Sequence, residues 1–406
     1  MPRLLGLKIN NYKSLSRVSL GQVGYGQGDP LPPLSCFIGP NGSGKSTLLD
    51  AFGFMADCLR EGVEPACDKP QRGGLAKLRT QGSPGPIHFE IYYRESPQSR
   101  PITYSFSIGE SKGIPVVIEE TLRQRRKGQK HGRPFPFLRL EKGEGSVWTG
   151  ELTEDDEGAT KLGIKLDDVS RLGITTLGQL KEHPRIVGLR SYIESWYLSY
   201  FVPDAARRLP PAGAQRHLDR TGENLGNVVQ YLERTHPKKF KAALERIAKK
   251  IPGIQSISCT KSPDDRLLLN FNEVGYKDPF YQQSMSDGTL KMFAYLLLIN
   301  DPEPRSFIGI EEPENGLYHK LLEELAREFM KQATESQEST QILVTTHSPY
   351  FVDALKPEQV WLMEKDEKGA TQVTRTADMP AISDLVKEGI PLGSLWYSNH
   401  FEERFS

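Results

Sequence analysis

The 406-residue sequence contains only four cysteines, at positions 36, 58, 67 and 259, and no Cys-x-x-Cys pair. This scarcity and spacing exclude a disulfide framework and a zinc ribbon. No stretch approaches about 18 consecutive apolar residues, which argues against a membrane-spanning segment. The first residues also lack the apolar core of a secretory leader. We therefore expect reduced thiols in a cytoplasmic protein.

The sequence also lacks an excess of charge of either sign, with 52 basic and 52 acidic residues. That balance excludes a globally basic coat for nucleic acid, although local basic patches remain compatible with it. Hydrophobic residues make up 37% of the chain, enough for a buried core. At this length we expect one large domain or two intertwined ones.

A phosphate-binding loop lies at residues 39–47, which read Gly-Pro-Asn-Gly-Ser-Gly-Lys-Ser-Thr. An apolar run at 34–38 precedes it and apolar residues at helical spacing follow it, which is the order strand, loop, helix. Glycines let successive N–H groups face phosphate oxygens, the lysine places a positive charge on the β and γ phosphates, and Ser46 offers a hydroxyl to Mg²⁺. The predicted ATP contacts are Gly39, Asn41, Gly42, Ser43, Gly44, Lys45, Ser46 and Thr47.

A second apolar run, at 307–310, ends in Glu311 and Glu312. A buried parallel strand delivers such residues to the carboxyl edge of its sheet, where ligands bind. One carboxylate, Glu311, can hold hydrated Mg²⁺ together with Ser46, while Glu312 polarises the attacking water. Taken alone, the pair could equally be an acidic surface turn after a core strand.

Two further elements accompany the loop and the carboxylates. The core run 342–345 leads to His347, which can sense the γ-phosphate or orient the water, although a lone histidine is more often structural. Residues 284–290 form a small polar loop that opens an apolar helix, with Ser286 or Asp287 as the N-cap.

These four elements, in this order, resemble the ABC-type ATPase head of SMC, RecF and OLD-family proteins. Within that group, Glu-Glu-Pro-Glu-Asn-Gly-Leu at 311–317 and Thr-Thr-His-Ser-Pro at 345–349 are most like the compact AAA ATPases of bacterial defence or toxin–antitoxin-like operons. The resemblance implies an α/β P-loop NTPase fold with a mixed central sheet, an antiparallel β subdomain and a long α/β lid insertion. We expect the N-terminal half of the head at 1–85, the insertion at 86–265 and the C-terminal half at 266–406.

The resemblance also assigns roles. Glu312 and His347 would be catalytic, and Ser286, Asp287 and Gly288 would act in trans on ATP bound to a second copy, in a homodimer or higher oligomer joined head-to-tail. Residues 10–14 resemble the turn that flanks the nucleotide, which adds Lys13 to the ATP contacts.

The sequence departs from the pattern at several positions. Glu311 stands where many heads have aspartate, and Asp287 stands where glycine is common. Gln81 is a weak match to the glutamine of the Q-loop.

The function implied is a nucleotide-gated switch, the sensor subunit of an antiviral defence system that controls a separate effector such as a nuclease or toxin. The segment after His347 is too short for a nuclease domain of its own, and the charged insertion is too long for a transporter subunit. The alternative is a DNA-binding repair ATPase of RecF or SMC type. The basic stretch 121–133, within charged sequence of low periodicity that continues to about residue 180, is its best local support, although a solvated hairpin tip explains it better.

Overall fold

The structure is a computed structural model that describes residues 1–25, 28–150, 159–211, 213–263, 266–335 and 339–401. The strands in these ranges are β1 (Arg3–Tyr12), β2 (Leu15–Gly21), β3 (Leu34–Ile38), β4 (Ile87–Arg94), β5 (Ile102–Ser111), β6 (Ile114–Gln124), β7 (Phe135–Glu141), β8 (Glu144–Trp148), β9 (Lys161–Lys165), β10 (Tyr197–Ser199), β11 (Ile254–Lys261), β12 (Leu267–Glu273), β13 (Phe280–Tyr281), β14 (Phe307–Glu311), β15 (Gln341–Thr345), β16 (Val360–Lys365) and β17 (Thr371–Arg375).

The α-helices in the same ranges fall mainly before β4 and after β9. They are α1 (Lys45–Arg60), α2 (Val63–Asp68), α3 (Leu75–Leu78), α4 (Gly173–Leu177), α5 (Pro184–Glu194), α6 (Pro203–Ala206), α7 (Leu225–Thr235), α8 (Pro237–Ala248), α9 (Asp287–Ile299), α10 (His319–Thr334), α11 (Pro349–Val352), α12 (Pro380–Lys387) and α13 (Leu392–Tyr397). None of the helices in the described ranges is long and apolar enough to cross a membrane.

The first of two compact units comprises residues 1–196 and 361–375. It contains an eight-stranded antiparallel sheet in the order β2-β1-β4-β5-β6-β7-β8-β9. Leu7 of β1 lies opposite Leu20 of β2 and Ile91 of β4, and all three are buried. The antiparallel β subdomain expected from the resemblance is therefore present, and its strands continue the sheet that β1 and β2 begin.

The phosphate loop belongs to the same unit. All five residues of β3 are buried, and the loop leads from its end into α1, whose apolar residues are buried at helical spacing. Phe52 of α1 packs edge-on against Trp196, and Phe37 of β3 stacks on Trp361 of β16. These contacts fix both the strand and the helix that carry the loop.

The second unit comprises residues 197–360 and 376–406. Its strands β10, β14 and β15 are parallel, with Ile308 of β14 opposite Tyr197 of β10 and Ile342 of β15. A three-stranded antiparallel sheet, β11-β12-β13, packs against α7 and α8. Helix α9 is buried from Leu290 through nearly its whole length, so its first turn is the part that reaches solvent.

The α/β fold class is thus confirmed. The basic stretch 121–133 forms the end of β6 and the turn into β7, as expected of a hairpin tip. The charged sequence that follows holds β7, β8 and β9. Its weak periodicity has a physical cause, since solvated strands carry charged residues and bury few side chains, and β9 is exposed at four of its five positions.

Candidate active site

The phosphate loop has the backbone that its glycines allow. Gly39, Gly42 and Gly44 adopt φ angles of 147°, 79° and 110°, which side chains rarely tolerate. A Cβ at Gly39 would lie 2.0 Å from the carbonyl oxygen of Met363, so close approach of the chain also requires glycine there. Ser43 and Gly44 are buried, whereas Asn41 lies exposed at the outer turn.

Lys45 lies inside the loop that precedes it. Its Nζ donates to the carbonyl oxygens of Gly39 at 2.9 Å and Pro40 at 3.0 Å, and the residue is 5% exposed. The Ser43 hydroxyl oxygen is also buried and has no hydrogen-bond partner in the described chain. A buried polar group without a partner is costly, and this one lies in the loop that the sequence assigns to phosphate. The loop therefore fits a triphosphate.

The start of α1 fits the cation of that triphosphate. Ser46 is exposed in the first turn and Thr47 is half-buried behind it. A hydroxyl at the positive end of a 16-residue helix can contact a hydrated Mg²⁺ held by phosphate oxygens.

A residue that the sequence did not single out holds the loop from behind. Thr371, on β17, is fully buried, and its hydroxyl donates to the carbonyl oxygen of Ser43 at 2.8 Å. The same hydroxyl oxygen lies 2.9 Å from the Ser14 hydroxyl and can accept its hydrogen. The N–H of Thr371 donates to the Ser14 carbonyl at 2.8 Å. The N-terminal turn and the phosphate loop are thus joined through one side chain.

Lys13, the ATP contact expected from the resemblance, lies against α1. Its Nζ is 2.7 Å from Oδ2 of Asp50, which also accepts the Tyr12 hydroxyl at 2.7 Å. Arg72, 2% exposed in its side chain, donates to Oδ1 of Asp50 at 3.0 Å and to Asp57 at 2.8 Å. Burial alone would raise the pKa of Asp50, but Arg72 and Lys13 outweigh it and lower that pKa. The cluster fixes α1 against residues 12–13.

In the second unit, β14 delivers its two carboxylates at a sharp turn. Glu312 follows the strand with φ of 43°, a left-handed conformation that costs a non-glycine residue about 1–3 kcal/mol. Its N–H donates to the Thr345 carbonyl at 2.9 Å, and Asn315 Nδ2 donates to its Oε2 at 2.9 Å. Glu311 is less exposed, and its Oε2 lies 3.8 Å from Arg220. The two neighbouring carboxylates therefore have different partners, Asn315 for Glu312 and Arg220 for Glu311.

His347 lies beside Glu312, with Nε2 3.3 Å from Oε1. The backbone N–H of His347 donates to Oε1 of Glu314 at 2.5 Å, and the Thr346 side chain also contacts that carboxylate. Burial raises the pKa of Glu314, the hydrogen bonds lower it, and nearby Glu312 raises it further, with a net increase. Glu314, to which the sequence assigned no role, thus anchors the histidine at the end of β15.

The polar loop at 284–290 forms the start of α9. Ser286 is the N-cap, and its hydroxyl accepts from the Thr289 N–H at 3.2 Å, as the sequence predicted for this residue or the next. A Cβ at Gly288 would lie 3.0 Å from the Gly316 carbonyl oxygen, so this glycine permits close contact with the turn after Glu312. Asp287 is exposed and paired with Arg207, another residue that sequence reasoning missed.

The second unit therefore brings Glu312 and His347 together, with Gly288 against the loop that follows Glu312. Thr371, Arg72 and Arg207 lacked a sequence signal because each acts on a residue far away along the chain. Glu314 had one, since it belongs to the same Glu-Glu-Pro-Glu run as Glu311 and Glu312.

Comparison with known proteins agrees with these elements. A family model described as "AAA domain, putative AbiEii toxin, Type IV TA system" matches residues 34–353. A segment of 55 residues is 44% identical to Structural maintenance of chromosomes protein 1 of Saccharomyces cerevisiae, and it covers 14% of this chain and 4% of the yeast protein.

Two solved structures share the fold. An Smc head bound to the C-terminal winged-helix domain of ScpA aligns with a TM-score of 0.54 at 15% identity, covering 91% of this chain and 97% of that one. An Smc head with an extended coiled coil, bound to the C-terminal domain of ScpA from Pyrococcus furiosus, aligns at 0.51 and 14%, covering 95% and 100%. The chain belongs to the AAA-domain family of putative AbiEii toxins of type IV toxin–antitoxin systems, and its fold is that of an SMC-type ATPase head.

Proposed function

We propose that this chain hydrolyses ATP as a nucleotide-gated switch between two copies of itself. Lys45 and the loop N–H groups would bind the phosphates, and Ser46 and Glu311 would hold Mg²⁺. Mg²⁺ bound there would neutralise charge that develops on the transferred phosphoryl group. Glu311 would then exchange its present neighbour Arg220, 3.8 Å away, for the cation.

The observation that carries the proposal is the arrangement of Glu312. Its strained turn is held by the Thr345 carbonyl and by Asn315, and one carboxylate oxygen lies next to His347. Strain of this kind persists where the surroundings over-determine it, commonly at functional sites. We assign Glu312 as the general base that takes the proton of the attacking water, and His347 as the residue that orients it.

The residues Ser286, Asp287 and Gly288, which we call the signature, would complete the site of a second copy. Ser286 and Asp287 are exposed at the positive end of the 13-residue helix α9, the kind of end that binds anions. With Gly288 they would contact the γ-phosphate of ATP in the partner's loop. ATP would then favour the closed pair, because only in that form do both copies contact the γ-phosphate. Hydrolysis removes the γ-phosphate and would favour the open form.

We further propose that the switch controls a separate effector protein in a bacterial antiviral defence system. Two observations support a second subunit. The description of the family names a toxin–antitoxin system, and the two similar Smc heads are each bound to a domain of another protein, ScpA.

The switch is tested with Glu312→Gln. This variant should retain ATP and form a stable dimer with ATP and Mg²⁺, measured by light scattering after gel filtration, with turnover about 10²–10⁴-fold below wild type. Glu323→Gln, on the exposed face of α10, is the matched control and should hydrolyse ATP normally. If Glu312→Gln neither dimerises nor retains ATP, the proposed switch is wrong.

The effector role is tested separately, in the native host. Tagged Glu312→Gln should co-purify one protein encoded next to it when ATP is present, and Lys45→Ala should lose that protein. Activity of the captured protein would then be compared with and without the ATPase. DNA-stimulated ATPase activity of the purified chain, with no bound protein, would favour a repair function instead.

A further inference from the structure

The signature of this chain has a charge that its proposed task does not favour. Asp287 is the first residue of α9 and its side chain is 57% exposed. A carboxylate at this position stabilises the helix itself, since it faces the positive end of the helix dipole. In the closed pair, however, the same end would meet the γ-phosphate of a second copy's ATP, and like charges repel.

Arg207 compensates this charge. Its Nη2 donates to Oδ1 of Asp287 and to the carbonyl oxygen of Met285 at 2.8 Å, while Nη1 donates to Asp204 at 2.5 Å. These contacts bracket Ser286, because one lies on the residue before the N-cap and another on the residue after it. A planar guanidinium with both of its terminal nitrogens engaged is fixed in direction as well as position.

We propose that Arg207 is the positioning residue of the signature, and that it makes the start of α9 acceptable to the triphosphate bound by a second copy. It does so by placing a positive charge against Asp287 and by fixing the backbone on both sides of Ser286. This inference rests on the proposed switch, and it deepens that switch by naming the residue that tunes its trans contact.

A purely structural tie between Arg207 and α9 is the competing explanation. The segment around α6 is already tied to the same region through Gln282, which is fully buried and donates from Nε2 to the Ala206 carbonyl at 3.1 Å. That bond lies one residue before Arg207 in the chain, so a tie between the two segments remains when the arginine is replaced. Its distinct contribution is charge.

The test isolates this charge in the Glu312→Gln background, where ATP-driven dimerisation is measured by analytical ultracentrifugation. Arg207→Gln keeps hydrogen-bond donors but loses the charge, and it should weaken the ATP-bound dimer about tenfold or more. Arg207→Lys should stay within about threefold of its parent. Adding Asp287→Asn to Arg207→Gln should restore the dimer, because the uncompensated carboxylate is gone.

A mixing experiment tests whether the effect acts in trans. Arg207→Gln has an intact phosphate loop and Lys45→Ala has an intact signature, so a mixture of the two, each with Glu312 in place, should form one competent site per pair and hydrolyse ATP faster than either variant alone.

Two results overturn the inference while leaving the switch intact. One is that Asp287→Asn does not restore dimerisation of Arg207→Gln and that Arg207→Lys dimerises as weakly as Arg207→Gln. The other is a mixture that hydrolyses ATP no faster than either variant alone. If the Glu312→Gln parent itself does not dimerise with ATP, the proposed switch falls, and this inference falls with it.

Discussion

Replacing Thr371 with valine would remove one hydroxyl from behind the phosphate loop while keeping the shape of the side chain. That hydroxyl bonds to the Ser43 carbonyl and to the Ser14 hydroxyl, and Thr371 is fully buried. Each bond contributes a net 0.5–1.5 kcal/mol, so roughly 1–3 kcal/mol of loop stabilisation would be lost. The N–H bond from this residue to Ser14 would remain.

The loss should appear in nucleotide affinity, because the loop would have to be ordered by ATP instead of by the protein. A change of 1.4 kcal/mol corresponds to a tenfold change in dissociation constant, so we expect Thr371→Val to bind ATP about tenfold more weakly. Titration calorimetry in Mg²⁺-containing buffer would measure it. Thr371→Ser, which keeps the hydroxyl, should bind within about threefold of wild type.

Thr374→Val is the matched control, since Thr374 lies on the same strand and is only partly buried. It should leave ATP affinity unchanged. If Thr371→Val binds ATP as tightly as Thr374→Val does, the hydroxyl does not order the loop and the reasoning is refuted.

Three further predictions concern stability and assembly. Burial raises the pKa of Glu120 to about 7, against the lowering effect of its hydrogen bonds, so the folded state holds this proton more tightly than the unfolded chain. The stabilisation from this group is therefore fully present below about pH 4.5 and is lost by about pH 7, which amounts to roughly 3 kcal/mol. Melting temperatures of Glu120→Gln should not show this dependence on pH. Arg72→Leu leaves two α1 carboxylates without their buried partner and should cost about 3–5 kcal/mol in urea unfolding, less if water enters. Gly288→Ala puts a Cβ 3.0 Å from the Gly316 carbonyl oxygen and should weaken ATP-driven dimerisation when added to Glu312→Gln. A dimer dissociation constant equal to that of Glu312→Gln alone would contradict this prediction.

The elements that the sequence predicted well are those whose contacts are local. Lys45 bonds to carbonyls five and six residues earlier, and Ser286 caps the helix that it precedes by bonding three residues ahead. The glycines of the loop are required by their own backbone angles. Short-range hydrogen bonds and backbone limits of this kind leave a recognisable spacing in the sequence, and so the loop, the carboxylate strand and the cap could be recognised from it.

Only the tertiary structure decided how these elements are held. Thr371 bonds to Ser43 across 328 residues of chain, and Arg207 pairs with Asp287 across 80. The partner of Lys13, a carboxylate on α1, was likewise hidden, as was the pairing of β4 with β1. Such contacts join residues whose individual types are ordinary, and what makes them specific is that folding buries them side by side. The sequence by itself therefore determined the residues of the phosphate loop and the candidate catalytic carboxylate, while the fold determined which charges and hydroxyls hold them in position.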